Sequence, residues 1–207
     1  MRSIIPFAAV DAKTRLASVL DADERAAFSR VMLDAVVETV IEAGHEPTVL
    51  STAPLDEPTR PASTSVVVDD RPLTTAVNDQ LAADSPTLVV MADLPLATAD
   101  DIHRLTESNA DVTLAPGLGG GTNAMVIREP AFRVDYHGAS YLDHRAAATD
   151  LGATVETVDS RRLATDIDEP DDLAEILIHG DGAARAWLVA AGFELDAGDG
   201  RVGVRRR

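Results

Sequence analysis

Lys13 is the only lysine in the chain, and it stands two residues before Arg15 in a segment that also carries Thr14. Where arginine supplies the other basic side chains, one retained lysine points to a compact point charge that a guanidinium fork would not imitate. The plainer alternative is that a single lysine has to fall somewhere. Two further features carry hard oxygen atoms: Asp93, which follows the apolar run Leu88 to Met91, and the Asp-x-Asp pair of Asp166 and Asp168. A cationic loop with three carboxylates suits a magnesium-bound triphosphate, because the metal takes carboxylate and phosphate oxygens while Lys and Arg balance the remaining charge. Asp93 could instead be a turn or capping residue, although Thr98 with Asp101 already gives the next helix a capping-box pattern. An Asp-x-Asp spacing is equally common at helix starts.

A glycine-rich stretch, Pro116 to Thr122, has neither the G-x-x-x-x-G-K-[ST] spacing of a P-loop nor a G-x-G-x-x-G pattern opening a helix. Its glycines could expose backbone N–H groups to a phosphate, or could form a flexible connection. His137 and His144 lack an H-x-x-x-H or cysteine partner, so a structural or surface role is expected of them rather than zinc binding.

The elements that would position these residues follow from periodicity. Leu88 to Met91 shows no polar alternation, which fits a central strand covered on both faces, and Pro95 limits it so that Asp93 lies at its carboxyl end. Ser3 to Phe7, Thr48 to Leu50, Val66 to Val68, Val112 to Ala115, Ala124 to Ile127 and Thr154 to Val158 also read as strands. A capping box at Asp21 and Glu24 opens a helix whose stripe Phe28, Met32, Ala35, Val36, Thr39, Val40 and Ala43 is expected to be core, ending at Gly44. Helices are also expected around Leu73 to Leu81, after Thr98, from a Ser140/Asp143 capping box through Ala148, after Pro170 with Asp168 or Glu169 as cap, and from Ala183 to Ala191. Pro54, Pro58 and Pro61 mark a loop. The tail from Gly192 is too short and mixed to place, and Arg205 to Arg207 read as a solvated end. The alternation predicts an α/β fold: a mostly parallel sheet with helices on both faces and one antiparallel strand beside the glycine loop.

Composition narrows the partners. The 207 residues, 45% hydrophobic, suffice for one domain with a full core, and the net charge of −17 disfavours nucleic acid and anionic lipid. Any anionic substrate then needs a local basic pocket. The acidic surface with a lone lysine suggests adaptation to a halophilic, high-salt cytoplasm. The absence of cysteine excludes disulfides and thiolate chemistry. With no signal segment and no apolar stretch of about 18 residues, a cytoplasmic protein with no membrane partner is expected.

Five motifs occur together and in order: Lys13-Thr14-Arg15-Leu16, Met91 to Leu96, Gly119 to Ala124, Ser140-Tyr141 with His144, and Asp166 to Leu173. In this the chain resembles the archaeal 2-phospho-L-lactate guanylyltransferase family over residues 1 to about 178. The resemblance implies a nucleotide-diphospho-sugar transferase fold of the glycosyltransferase-A type. It also implies the joining of GTP to 2-phospho-L-lactate, a step in making coenzyme F(420); the alternatives are a related nucleotidyltransferase using phosphoenolpyruvate or another phosphorylated acceptor, and a non-catalytic nucleotide-binding regulator of the same fold. Carried over by motif, Asp93, Asp166 and Asp168 would hold Mg²⁺, Lys13 and Arg15 would face the nucleotide phosphates, and Asn78 would lie with them on the nucleotide. Thr122, Asn123, Gly138 and Ser140 would lie near the acceptor. Pro72 and Thr74 depart from the Gly and Asn frequent in relatives. A homodimer is the working expectation for the oligomer, which the sequence leaves open.

Overall fold

A computed structural model describes residues 1–10, 12–55, 64–81, 85–198, 200 and 202–207. Nine strands lie in it: β1 (Arg2–Phe7), β2 (Glu46–Ser51), β3 (Ser65–Val68), β4 (Thr87–Val90), β5 (Val112–Pro116), β6 (Thr122–Ile127), β7 (Val155–Thr157), β8 (Phe193–Asp196) and β9 (Gly203–Arg206). The first seven form one sheet in the order β3-β2-β1-β4-β6-β5-β7. Only β6 runs against its neighbours in that sheet, because the glycine loop returns the chain directly beside β5. The other pairings are parallel and need crossovers. Helix α1 (Ala22–Glu42) supplies the one from β1 to β2 and α2 (Leu73–Gln80) lies between β3 and β4, whereas β2 and β3 are joined through residues 52–64, of which 52–55 and 64 are described.

Seven helices pack on this sheet or beside it: α1 (Ala22–Glu42), α2 (Leu73–Gln80), α3 (Ala99–Glu107), α4 (Ser140–Asp150), α5 (Arg161–Ala164), α6 (Asp172–His179) and α7 (Ala183–Ala190). One face of the sheet buries Leu33, Val36, Val37 and Val40 of α1 with Ile102 and Leu105 of α3. The opposite face buries Ala76 and Val77 of α2 and Ala148 of α4 with Phe132 and Val134. Strand residues alternate between these two cores: Ile4, Val89 and Met125 lie in register on one side, while Ile5, Leu88 and Val90 point to the other. Both faces are therefore apolar, which is why β4 carries four consecutive buried residues. The expected capping boxes at Asp21/Glu24 and Thr98/Asp101 are both formed.

Several expectations need correction. Ser140 does not cap α4; it is the helix's first residue, buried, and its hydroxyl accepts from the backbone N–H of Thr122. Neither Asp168 nor Glu169 caps α6. Pro170 starts a tight turn with bonds from Leu173 N–H to Pro170 and from Ala174 N–H to Asp171, so the regular helix begins at Asp172. The Asp172 carboxylate accepts from the N–H groups of Asp168 and Glu169 at 3.0 and 2.7 Å, holding the acidic loop against the helix start. The tail also has structure. β8 and β9 pair as an antiparallel hairpin whose Phe193 joins a third apolar cluster with Leu16, Phe28, Ile176 and Leu188. Its arginines are paired: Arg205 and Arg207 with Glu194, Arg206 with Glu24 at the start of α1. Pro58 and Pro61 lie outside the described residues. No helix among the described residues is long and apolar enough to cross a membrane.

Candidate active site

β1 and β4 are parallel neighbours, so their carboxyl ends leave the sheet side by side. From there the sheet order runs through β2 and β3 on one side and through β6, β5 and β7 on the other. Such a reversal point is where open α/β sheets bind ligands. The loop after β1 carries Lys13, and the loop after β4 carries Asp93. The third segment is tied in by backbone, since Ile167 N–H donates to the Asp93 carbonyl at 3.1 Å. This bond sets Asp166 and Asp168 on either side of a residue docked against Asp93.

The Lys13 ammonium bridges two of the carboxylates, 2.5 Å from Asp93 Oδ2 and 2.7 Å from Asp168 Oδ1. Its side chain is 11% exposed, and its backbone takes a left-handed conformation at φ 55°, unique among the described non-glycine residues. Burial by itself would lower the Lys13 pKa, but the charges and hydrogen bonds of Asp93 and Asp168 outweigh it and hold the value above the ordinary lysine range. Arg15 reaches Asp168 Oδ2 at 3.0 Å from a side chain 67% exposed, so its guanidinium stands at the mouth.

Asp166 accepts from Asn123 Nδ2 at 3.0 Å, and the same Nδ2 donates to the Leu163 carbonyl at 2.9 Å. Burial raises the Asp166 pKa, the Asn123 bond opposes that, and the nearby charges of Asp93 and Asp168 raise it further. Asn123 fits only because residue 117 is glycine: a Cβ there would fall 2.5 Å from Asn123 Oδ1. Helix α5, which the sequence reading missed, secures this corner. Its carbonyls at Leu163 and Ala164 take hydrogen bonds from Asn123 and from Leu118 N–H, and Ser160 at its N-cap donates to Asp101 in the capping box of α3. The short Ser160-x-x-Leu163 cap pattern is the signal that could have revealed it.

Two cavities meet at Asp168. One, about 180 Å³, is walled by Pro6, Phe7, Met91 and Asp93 with Ser29 and Met32 of α1. Met32, expected only as core, thus also floors a cavity. The other, about 360 Å³, lies between Leu118 and Gly119 of the glycine loop and the Asp166 to Glu175 segment, with Arg15 and Arg161 at its edge. The second exceeds the roughly 300 Å³ at which small-molecule pockets begin, the first falls below it, and the two share Asp168 in their walls.

A family model described as "Guanylyl transferase CofC like" matches residues 1–207, the whole chain. The chain belongs to this family. Among its relatives, a Haloarcula marismortui protein named 2-phospho-L-lactate guanylyltransferase is 59% identical over 211 residues, covering 100% of this chain and 99% of that one. One of the same name from Haloterrigena turkmenica is 56% identical, covering 100% of this chain and 97% of its own. Among solved structures, a putative nucleotide-diphospho-sugar transferase from Desulfovibrio desulfuricans superposes with a TM-score of 0.75 at 15% identity, covering 91% of this chain and 94% of that one. That likeness bears out the nucleotide-diphospho-sugar transferase fold.

In this CofC-like chain the remaining candidate residues fall into two groups. Thr122 and Ser140 lie together at the base of the glycine loop, both buried. Gly138, at φ 51°, makes the turn that leads into α4, a backbone position that side chains resist. Asn78 is tied to the backbone at Val134: its Nδ2–H donates to the Val134 carbonyl and its Oδ1 accepts from Val134 N–H, each at 2.9 Å. Thr74 likewise accepts from Tyr136 N–H, so the start of α2 clamps the 134–136 segment. His137 is exposed and paired with Asp135, and His144 is buried.

Proposed function

We propose that this enzyme joins GTP to 2-phospho-L-lactate, giving lactyl-2-diphospho-5′-guanosine and pyrophosphate in coenzyme F(420) biosynthesis. Membership of the CofC-like family and the name shared by relatives above half identity support the reaction. The observation that carries the chemistry is the meeting of Lys13, Asp93 and Asp168 at the reversal point of the sheet. A phosphate oxygen of the acceptor attacks the α-phosphorus, and the bond from that phosphorus to the pyrophosphate oxygen breaks. The attacking oxygen is already anionic, so no general base is required; rate comes from in-line positioning and charge neutralisation. In this reading Lys13 and Arg15 balance the charge that collects on the leaving pyrophosphate. Thr122, Asn123, Gly138, Ser140 and the glycine loop form the acceptor side.

Asp93, Asp166 and Asp168 would hold Mg²⁺. Asp93 Oδ1 is buried without a hydrogen-bond partner, and the donor set is hard oxygen throughout, so the residues suit that ion. Among the described residues no three such groups are already gathered as a metal cluster, and the Lys13 ammonium supplies the positive charge between Asp93 and Asp168. When bound, Mg²⁺ would supply charge neutralisation at the triphosphate oxygens.

Purified protein given each nucleotide with 2-phospho-L-lactate should release pyrophosphate with GTP well ahead of ATP, CTP and UTP. EDTA should abolish the activity and Mg²⁺ restore it. Equal turnover with ATP would defeat the base assignment, and faster turnover with phosphoenolpyruvate would reassign the acceptor.

A further inference from the structure

Ser140 and His144 are one helical turn apart on the same face of α4, both are buried, and both hold Thr122. Ser140 Oγ accepts the Thr122 backbone N–H at 3.1 Å, and His144 Nδ1 lies 2.8 Å from Thr122 Oγ1. A third contact fixes the tautomer. Asp135 N–H donates to His144 Nε2 at 2.9 Å, so Nε2 presents its lone pair and the ring proton belongs to Nδ1. Nδ1–H therefore donates to the Thr122 hydroxyl, whose own single proton must point to some other acceptor. The imidazole is otherwise packed among rings, with Tyr136 edge-on at 5.2 Å and Phe132 at 6.0 Å between centroids. Burial keeps it neutral, with its pKa pushed down to about 4 against a small opposing effect of Asp135 and Asp143.

We propose that His144 is a positioning residue for acceptor binding: through Nδ1–H it fixes the Thr122 hydroxyl as a donor at the base of the glycine loop, and through Nε2 it ties that loop to the 135–138 turn. This rests on the reading that the acceptor's phosphate sits beside Thr122. A phosphate oxygen is the acceptor such a directed hydroxyl suits, since O–H to anionic oxygen is among the stronger hydrogen bonds.

The test is a double-mutant cycle read in Michaelis constants. Thr122→Val keeps the branched shape and removes the hydroxyl; it should raise KM for 2-phospho-L-lactate about tenfold and leave KM for GTP within about twofold. His144→Gln, whose amide imitates Nε2 and leaves Thr122 unpartnered, should do the same, while His144→Asn, whose amide imitates Nδ1–H but loses the Asp135 contact, should raise the acceptor KM by clearly less than His144→Gln does. In the Thr122→Val background, His144→Gln should add nothing to the acceptor KM. An undiminished further rise there would overturn the inference, as would equal effects of the Asn and Gln variants. No change in acceptor KM for Thr122→Val alone, in an enzyme that turns over, would defeat the acceptor placement instead.

Discussion

Lys13 combines three features that seldom coincide: a left-handed backbone, a nearly buried side chain, and two carboxylates on one ammonium. A side-chain-bearing residue in that backbone region costs on the order of 1 kcal/mol, a strain that persists only where surrounding contacts impose it. Here the two ion pairs and the short 3-10 turn Thr14–Ser18 that follows do so. Replacing Lys13 by Ala removes the point charge and leaves Asp93 and Asp168 facing each other without it. Turnover should fall by at least about tenfold, equivalent to about 1.4 kcal/mol of transition-state stabilisation. Added Mg²⁺ should raise the melting temperature of the variant more than that of the wild type. Near-normal kcat in a folded Lys13→Ala protein would make the lysine a bystander.

Among the elements, α4 couples stability to pH through its buried histidine. His144 titrates near 6.5 in the unfolded chain and near 4 when folded, so below 6.5 the unfolded state binds a proton that the folded state refuses. Its contribution is complete above about pH 6.5 and is lost progressively as the pH falls toward 4. The melting temperature of the wild type should therefore drop through that window more steeply than that of His144→Asn, which has no such proton to take. Parallel curves for the two proteins would show that the imidazole is not held neutral. Helix α5 has a different part: with only four residues, it owes its position to Ser160 and Asp101 and returns one carbonyl to Leu118 of the glycine loop and one to Asn123 of β6.

For the whole molecule, the net charge of −17 sets the response to salt. Carboxylates outnumber basic groups about two to one, so at low ionic strength the folded surface repels itself. Raising salt from 0.1 to 1 M shortens the screening length from about 10 to about 3 Å, which relieves that repulsion while leaving the buried Lys13 pairs nearly intact. Melting temperature should accordingly rise with KCl. A midpoint that falls as salt is added would mean that exposed pairs such as those of Arg205 to Arg207 outweigh the excess of like charge.

What the sequence determined by itself was local. Apolar runs, capping pairs and Gly44 marked the strands of the main sheet, the long helices and the reversed strand, because each is governed by neighbours a few positions away. The types of the site residues were equally legible: one lysine in an early loop, Asp93 after a buried strand, an Asp-x-Asp before a helix. Tertiary structure alone decided what those groups touch. The parallel pairing of β1 with β4, and a single bond from Ile167 to the Asp93 carbonyl, bring Lys13 to Asp168 across 155 positions of chain. Ser140 could satisfy either its own helix start or a distant N–H, and only the fold shows that it took Thr122. Asn78 and the C-terminal arginines likewise found partners that no local pattern encodes. Side-chain hydrogen bonds and ion pairs act over about 3 Å in space, and separation along the chain says little about which groups will come that close.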